Sequence, residues 1–160
     1  MSEQDRPAAP PASLASTESG IVTVHEASDG PYSQDIVAGN YVIRADEPVS
    51  AGGRDTGPTP HELLLAALGG CTAITLRMYA NRKKWPLENV SVRLKHDRIH
   101  AEDCKNCETK EGYVNRIARD ITLEGPLDAG QKARLLEIAN KCPVHRTLMS
   151  EMVIETRLTA

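Results

Sequence analysis

The sequence has few aromatic side chains, no surplus of positive charge and no long uninterrupted apolar run. Phe is absent and aromatic residues make up 3% of the 160 positions, so few side chains could stack on nucleic acid bases. The 19 Lys and Arg against 22 Asp and Glu give a net charge of −3, which leaves no basic excess for phosphates or an anionic membrane surface. No apolar run reaches the roughly 20 residues that cross a bilayer. We therefore expect a soluble protein that binds neither nucleic acid nor membrane.

The N-terminal segment 1–19 lacks the apolar core of a signal peptide. It is rich in Pro, Ala and Ser and cannot bury enough apolar surface to offset its ordering entropy, so we predict a disordered tail before a single domain over residues 20–160. Without an export signal a cytoplasmic location is expected. Four cysteines in that setting are more often thiols, redox groups or metal ligands than a static disulfide framework.

Short alternating strands and two helices predict an α+β fold. Gly39-Asn40 suits a tight hairpin turn within a three-stranded meander. Thr59 and Pro60 suit the cap and first position of a long helix, and Asp128 suits the cap of a second. The Pro- and Gly-rich stretch 46–59 before the long helix is expected to be a loop. The predicted strands cover residues 20–27, 32–38, 40–45, 87–99, 113–123 and 151–158, and the predicted helices cover residues 60–84 and 129–141.

The long helix has no charged residue between Leu63 and Leu76. A helix that is apolar all round must be covered on all sides, and a small sheet covers it only in part, so a second subunit is expected to help. Gly69-Gly70 in its middle costs about 1 kcal/mol per residue relative to Ala, which is tolerable where another group approaches the backbone closely.

Two cysteines occupy the apolar faces of the two predicted helices. Cys71 follows the stripe of Leu64 and Leu68, and by itself it has the pattern of a core cysteine. Cys142 ends the second helical face directly before Pro143, so it is expected at a break where a new helix begins. Its sulfur would then face unpaired N–H groups, which favour the thiolate, and His145 either assists or packs. The two sulfurs become neighbours if the helices pack together.

The runs GPTPHELLLAALGGCT (57–72) and KCPVHRTL (141–148) together resemble the OsmC/Ohr family of thiol-dependent hydroperoxide reductases, over most of residues 20–160. The resemblance implies an OsmC-like fold and an intertwined homodimer, with two long helices back to back and two active sites at the interface. It implies that Cys71 attacks an organic hydroperoxide, that Cys142 resolves the resulting sulfenic acid to a disulfide, and that a dithiol reductant resets the pair with no cofactor required.

The resemblance also implies an Arg and a Glu that activate the attacking thiol. The family Glu position is occupied by His61, with Glu62 next to it. Nine residues of helix separate Glu62 from Cys71 by about 13.5 Å, so Glu62 could act only from elsewhere in space, such as the partner subunit. Arg44 is the counterpart of the Arg in OsmC-type members, and Arg54 is its substitute. The local argument, by contrast, marks Cys142 as the thiol with the evident activator.

A second group of side chains, His96, His100, Cys104 and Cys107, lies between the two central predicted strands. Cys-x-x-Cys in a hairpin loop can present two thiolates to Zn²⁺, and the two His would complete a tetrahedral set. A redox-active or regulatory disulfide and a reduced, solvated loop are the alternatives. Within the resembled family, only an OsmC-like branch shares this pair.

Three functions follow from these patterns. The first is an organic hydroperoxide reductase in oxidative-stress defence, with Cys71 and Cys142 as its redox pair. The second is a protein of the same fold that senses oxidants or electrophiles with little turnover. The third is a zinc-binding stress protein built on the Cys104/Cys107 loop.

Overall fold

The computed structural model describes residues 20–105 and 107–159, and it has an α+β architecture with antiparallel strands. The described chain divides between Leu63 and Leu64 into two compact units, and each is described by itself. The predicted tail over residues 1–19 lies outside the described residues, and the single domain over residues 20–160 stays a prediction. The elements are β1 (Val22–Glu26), β2 (Gln34–Ala38), β3 (Tyr41–Ala45), α1 (Pro60–Lys83), β4 (Asn89–His100), β5 (Tyr113–Glu124), α2 (Ala129–Ala139) and α3 (Pro143–Leu148).

The first unit contains the predicted meander. Its strands pair antiparallel in the order β1-β2-β3, and Ile36 of β2 lies opposite Val24 on one side and Ile43 on the other. Gly39 turns the chain between β2 and β3 at a φ of 58°, a left-handed conformation that glycine adopts without strain. The predicted three-stranded order and turn are confirmed.

The start of α1 is fixed by local hydrogen bonds, as the sequence predicts. The Thr59 N–H and hydroxyl both donate to Glu62 Oε2, at 2.8 and 2.9 Å, and the Glu62 N–H donates back to Thr59 Oγ1 at 3.3 Å. This reciprocal pair satisfies N–H groups that a helix start leaves open, and Pro60 has no N–H to satisfy.

Beyond Leu63, α1 buries one stripe of its surface and exposes the rest. The buried residues on this helix are Leu68, Gly69, Thr72, Leu76 and Ala80. A side chain at Gly69 would meet Leu94 Cδ1 of β4 at 2.8 Å, so the close approach expected at this glycine is present. By length and hydropathy the whole helix is also long enough to cross a membrane, a test that core helices of soluble proteins pass as well. The absence of membrane association stays a prediction.

The core of the second unit lies where α1, α2 and the strand pair meet. β4 and β5 pair antiparallel over their full length. Asp128 caps α2 by accepting from the Gln131 N–H at 2.7 Å, and the Gln131 side chain accepts from the Asp128 N–H at 3.0 Å. The buried cluster consists of Leu76, Ala80, Leu87, Leu127, Leu135, Ile138 and Ala139.

The last predicted strand, over residues 151–158, is wrong for the single chain. No strand assignment covers this segment, and Val153, Ile154 and Leu158 are 82%, 81% and 102% exposed. A strand requires a neighbour for its backbone hydrogen bonds, and none of the described strands pairs with it. The described residues therefore leave the apolar side chains of this segment exposed.

Candidate functional site

Cys142 sits at the break between α2 and α3, as its position before Pro143 predicts. Its backbone is extended (φ −63°, ψ 142°) and caps α3, whose first residue is Pro143. The Cys142 side chain is fully buried, and its Sγ accepts a hydrogen bond from the His145 N–H at 3.3 Å. The proline therefore ends one helix, starts the next and aims a backbone donor at the sulfur.

Cys71 reaches this sulfur from α1. The two cysteines are free thiols in the structure, Cys71 half-buried and Cys142 buried. The Cys71 side chain, 71 positions away in sequence, is one of the groups near enough to the Cys142 thiol to lower its pKa. Two free thiols near one another can be oxidised to a disulfide, and Cys71 is the more exposed of the two.

Thr72, which the sequence analysis did not single out, joins the pair. It is fully buried, its hydroxyl lies 3.6 Å from Cys142 Sγ, and it also donates to the Leu68 carbonyl at 2.7 Å. Because Thr72 follows Cys71 on α1, one turn of helix supplies both a thiol and a hydroxyl to the same buried sulfur.

Arg119 of β5 was also missed, and it brings a positive charge to this cluster. Its Nη1 donates to Thr72 Oγ1 at 2.9 Å and to the Ala139 carbonyl at 3.3 Å, and its Nη2 donates to Asn140 Oδ1 at 2.7 Å. The signal was present in the sequence, because Arg119 shares the inward face of β5 with Ile117 and Ile121. A charged residue at an inward strand position requires a partner.

These neighbours change the ionisation of Cys142. Burial by itself raises the pKa of the Cys142 thiol, but the hydrogen bond from the His145 N–H and the hydrogen bond with the Thr72 hydroxyl lower it. The Cys71 side chain and the charge of Arg119 act in the same direction, and the net pKa lies below the ordinary value of a cysteine. Burial, and then the charge of Arg119, also lower the pKa of His145, which favours the neutral imidazole.

The residues implied as activators belong to the first unit. Arg44 is held by carboxylates, with Nε donating to Asp35 Oδ1 at 2.9 Å and Nη1 donating to Asp29 at 2.6 and 2.7 Å. Its substitute, Arg54, donates from its guanidinium to the Asp29 carbonyl. Both arginines therefore already have partners within their own unit, and their predicted role toward Cys71 stays a prediction.

Glu62 and His61 lie at the start of α1. The Thr59 N–H and hydroxyl lower the pKa of the Glu62 carboxyl, so it is an anion that caps the helix. His61 is exposed on the first turn. The capping contact gives Glu62 a local structural role, and the catalytic roles implied for these two side chains stay predictions.

The first unit contains a second buried acid, Asp46, in the long loop after β3. It is 1% exposed and accepts from the Ser33 and Thr56 hydroxyls, at 3.2 and 2.9 Å. The backbone N–H groups of Glu47, Arg54 and Thr56 donate to it at 2.8, 3.1 and 3.2 Å. Burial raises the pKa of Asp46, but these donors outweigh it and lower the pKa from 3.8 to about 2.

The Cys-x-x-Cys group lies at the tip of the β4–β5 hairpin. Cys104 and Cys107 form a disulfide with a Cα–Cα distance of 5.5 Å, one of the alternatives that the sequence left open. His96 Nε2 lies 3.2 Å from Asn115 Oδ1, and the His100 ring packs on Tyr113 at 4.2 Å between centroids. Among residues 20–105 and 107–159, no group of three or more His, Cys, Asp and Glu could hold a metal ion. Zinc binding by this loop stays a prediction.

Comparisons with known proteins place this arrangement in context. The family model described as "OsmC-like protein" matches residues 52–157, which include Cys71, Arg119 and Cys142. No functionally curated protein matches the sequence significantly.

Several solved structures share the fold at low sequence identity. An OsmC-like protein from Mycoplasma pneumoniae is 18% identical with a TM-score of 0.64, over 84% of this chain and 89% of that one. A Legionella pneumophila protein described as an organic hydroperoxide resistance protein and predicted redox protein is 20% identical with a TM-score of 0.58, over 83% and 90%. The organic hydroperoxide resistance protein OhrB of Bacillus subtilis is 17% identical with a TM-score of 0.54, over 79% and 87%.

Proposed function

This chain belongs to the OsmC-like protein family, and from that premise we propose that it reduces organic hydroperoxides with the thiols of Cys71 and Cys142. The observation that carries the proposal is the nearness of two free thiols: half-buried Cys71 is among the groups that lower the pKa of buried Cys142, whose sulfur lies 3.6 Å from the Thr72 hydroxyl. The family match and the organic hydroperoxide resistance proteins of the same fold support the choice of substrate class.

The reaction needs two thiols and an external dithiol. The Cys71 sulfur attacks the distal oxygen of the hydroperoxide, an S–O bond forms while the O–O bond breaks, and the alcohol leaves. Cys71 is thereby oxidised by two electrons to a sulfenic acid. Cys142 attacks that sulfur, the disulfide forms and the hydroxyl group leaves as water. A dithiol then reduces the disulfide by thiol exchange.

A homodimer is part of the proposal. α1 exposes Leu64, Ile74 and Met78 to 41%, 62% and 67%, although its sequence is that of a core helix. The apolar segment 151–158 is exposed as well. A second copy would cover these surfaces, as the resemblance implies. Light scattering at micromolar concentration should therefore give the dimer mass, and a monomer mass would refute this part of the proposal.

The activity is tested by following consumption of cumene hydroperoxide with dithiothreitol as the dithiol, beside hydrogen peroxide for comparison. We expect repeated turnover with the organic peroxide, and loss to the uncatalysed rate in Cys71→Ser. The double variant Cys104→Ser/Cys107→Ser is the matched control for cysteine removal, and its turnover should equal that of the wild type.

Two results would contradict the proposal. One stoichiometric oxidation without turnover would identify a sensor of the same fold. Turnover that survives Cys71→Ser would remove the assigned thiol from the chemistry. Zinc retained after gel filtration and lost in Cys104→Ser would instead favour the zinc-binding function of the hairpin loop.

A further inference from the structure

The disulfide between Cys104 and Cys107 closes a short ring at the tip of the β4–β5 hairpin, and the proposed peroxide chemistry does not use it. We propose that this pair is a thiol–disulfide exchange site that takes an external dithiol as its substrate and works separately from the Cys71/Cys142 pair. The inference goes beyond the proposed function and does not depend on it.

The disulfide contributes little to holding the hairpin together. β4 and β5 pair over their full length, and beyond the last pair the Ala101 N–H donates to the Gly112 carbonyl at 2.8 Å. Both cysteines lie between these two residues, so their bond does not join one strand to the other. The constraint that a disulfide places on the unfolded chain grows with the loop it closes, and this loop has a sequence separation of only 3. A structural role therefore does not explain the bond.

The two sulfurs lie where a reagent can reach them. Cys104 and Cys107 are each half-buried, whereas Cys142 is fully buried. The flanking side chains of Asp103 and Glu108 are exposed. Exchange begins when a thiolate attacks one sulfur of a disulfide, and accessible disulfides are the ones that exchange readily. The position of the pair at the hairpin tip therefore suits exchange.

The hairpin pair is too far from Cys71 to be its partner within one chain. α1 meets the strand pair where Leu94 lies opposite Arg119, and Arg119 donates to the Thr72 hydroxyl at 2.9 Å. From Leu94 the strand β4 continues to His100, about 20 Å away at about 3.3 Å per residue. A disulfide needs Cα atoms within about 7 Å of each other. The two pairs therefore react independently within a chain.

The exchange balances in atoms and electrons. A thiolate of the dithiol attacks one sulfur of the Cys104–Cys107 bond, an S–S bond forms between the two molecules, and the other cysteine leaves as a thiolate. The second thiolate of the dithiol then attacks the mixed disulfide, closes its own disulfide and releases the remaining cysteine. The pair gains two electrons and two protons, which the dithiol supplies. The same steps in reverse reduce an external disulfide.

The charge around the pair favours one kind of reagent. Segment 101–112 carries four acidic side chains and two lysines, and Lys110 Nζ donates to the Cys107 carbonyl at 3.0 Å. An attacking thiolate brings a negative charge to this acidic surface, so a positive group beside the thiol assists its approach at low ionic strength. We therefore expect a dithiol whose thiols lie among positive charges.

The decisive experiment equilibrates the folded wild-type protein with reduced and oxidised dithiothreitol. Free thiols are alkylated after an acid quench, and the remaining disulfides are reduced and given a second label. Trypsin then places the four cysteines on four different peptides, because Lys or Arg separates them along the chain. At equal concentrations of the two reagents we expect at least about tenfold more Cys104/Cys107 dithiol than disulfide, since structural disulfides resist reduction and exchange-active ones do not.

Oxidised glutathione should then restore the Cys104–Cys107 disulfide. A disulfide that resists excess dithiothreitol until urea unfolds the protein would be structural and would overturn the inference. Cysteines that stay reduced in oxidised glutathione would overturn it as well.

Two variants separate exchange from a structural role. Cys104→Ser/Cys107→Ser should keep the urea midpoint of the wild type, and a marked fall would identify a structural disulfide. In Cys104→Ser, oxidised glutathione should leave glutathione bound to Cys107, because no second thiol displaces it. Glutathione that persists equally on Cys107 of the wild type would show that the two thiols do not act as a pair.

The labelled peptides also separate failure of this inference from failure of the proposed function. The hairpin peptides report exchange without any peroxide, and the peptides of Cys71 and Cys142 report oxidation by cumene hydroperoxide. Exchange at the hairpin of a protein that does not reduce peroxides would support this inference alone. Peroxide turnover with an inert hairpin pair would reject it alone.

Ionic strength tests the charge preference. Reduction by mercaptopropionate, whose carboxylate is negative, should accelerate several-fold as salt screens the acidic segment, whereas reduction by cysteamine, whose amine is positive, should change little. Glu102→Gln/Glu108→Gln should narrow this difference. An equal salt response for the two reagents would refute the preference for a dithiol among positive charges.

Discussion

The structure contains two buried acids with lowered pKa values, Asp46 in the first unit and Cys142 in the second, and they differ in what lies beside them. Burial opposes ionisation of both, and in both cases nearby donors outweigh burial. Asp46 accepts from five N–H and O–H groups of its own loop and of Ser33. Cys142 has a second free thiol, Cys71, among the groups that lower its pKa.

This difference shows that a lowered pKa by itself does not mark a catalytic group. The charge of Asp46 orders a loop without regular strands, since its oxygens serve as acceptors for backbone groups that would otherwise be buried unpaired. The groups that lower the pKa of Cys142 include Cys71, a second free thiol. The neighbour, and not the shift, separates the structural acid from the proposed catalytic one.

The largest expected effect is that of Asp46→Asn on folding. The amide lacks the charge and places an N–H₂ group among donors, so several of them lose their acceptor. We expect a marked fall in the urea midpoint, with thiol ionisation at Cys142 unchanged if the variant folds. Denaturation followed by circular dichroism measures the fall. A wild-type midpoint would show that the cluster does not hold the loop.

The same carboxyl predicts how stability depends on pH. The folded pKa of Asp46, about 2, lies below its ordinary value of 3.8, so its contribution is present above about pH 4 and is lost as the pH falls toward 2. Asp46→Asn should lack this part of the acid dependence. An identical acid profile in both proteins would contradict the assignment.

A matched pair of threonines gives the next effect. Thr56→Val removes the hydroxyl that donates to Asp46 and should cost about 1–2 kcal/mol of stability without changing the peroxide reaction. Thr72→Val removes the hydroxyl that lies beside the Cys142 sulfur, and it should act mainly on the pH dependence of that reaction. If both variants changed stability alone, the two buried acids would be equivalent and the comparison would fail.

The smallest effect is expected for Asn140→Ala. This change removes one partner of Arg119 but leaves the contacts with Thr72 and the Ala139 carbonyl. Because Asn140 is exposed, stability should change by less than about 0.5 kcal/mol. The pH midpoint for ionisation of the Cys142 thiol should rise by less than it does in Arg119→Gln. A shift as large as that of Arg119→Gln would make Asn140 the main support of the charge.

Local signals predicted the elements well. The Thr59–Glu62 capping pair, the Gly39 turn and the Asp128 cap each depend on side chains within a few residues, so short-range chemistry sufficed. Cys142 before Pro143 was placed for the same reason. The segment 151–158 failed because a strand depends on a neighbour that its own sequence does not specify.

The surroundings of the two thiols required more than local rules. Thr72 and Arg119 lie 47 positions apart, and Arg119 and Asn140 lie 21 apart, so their contacts arise only when β5 and α2 close over α1. The inward position of Arg119 on β5 is a sequence signal for a charge that needs a partner, but it does not indicate which group that partner is.

By itself, the sequence determined where helices begin and end and which two cysteines lie on apolar faces, because periodicity, capping residues and proline act within a few positions. Only the tertiary structure decided that Cys71 and Cys142 meet, that Thr72 and Arg119 surround the buried sulfur, and that Asp46 is a buried anion of the loop. Those outcomes depend on packing and on electrostatics at distances of a few ångström between groups that are far apart along the chain.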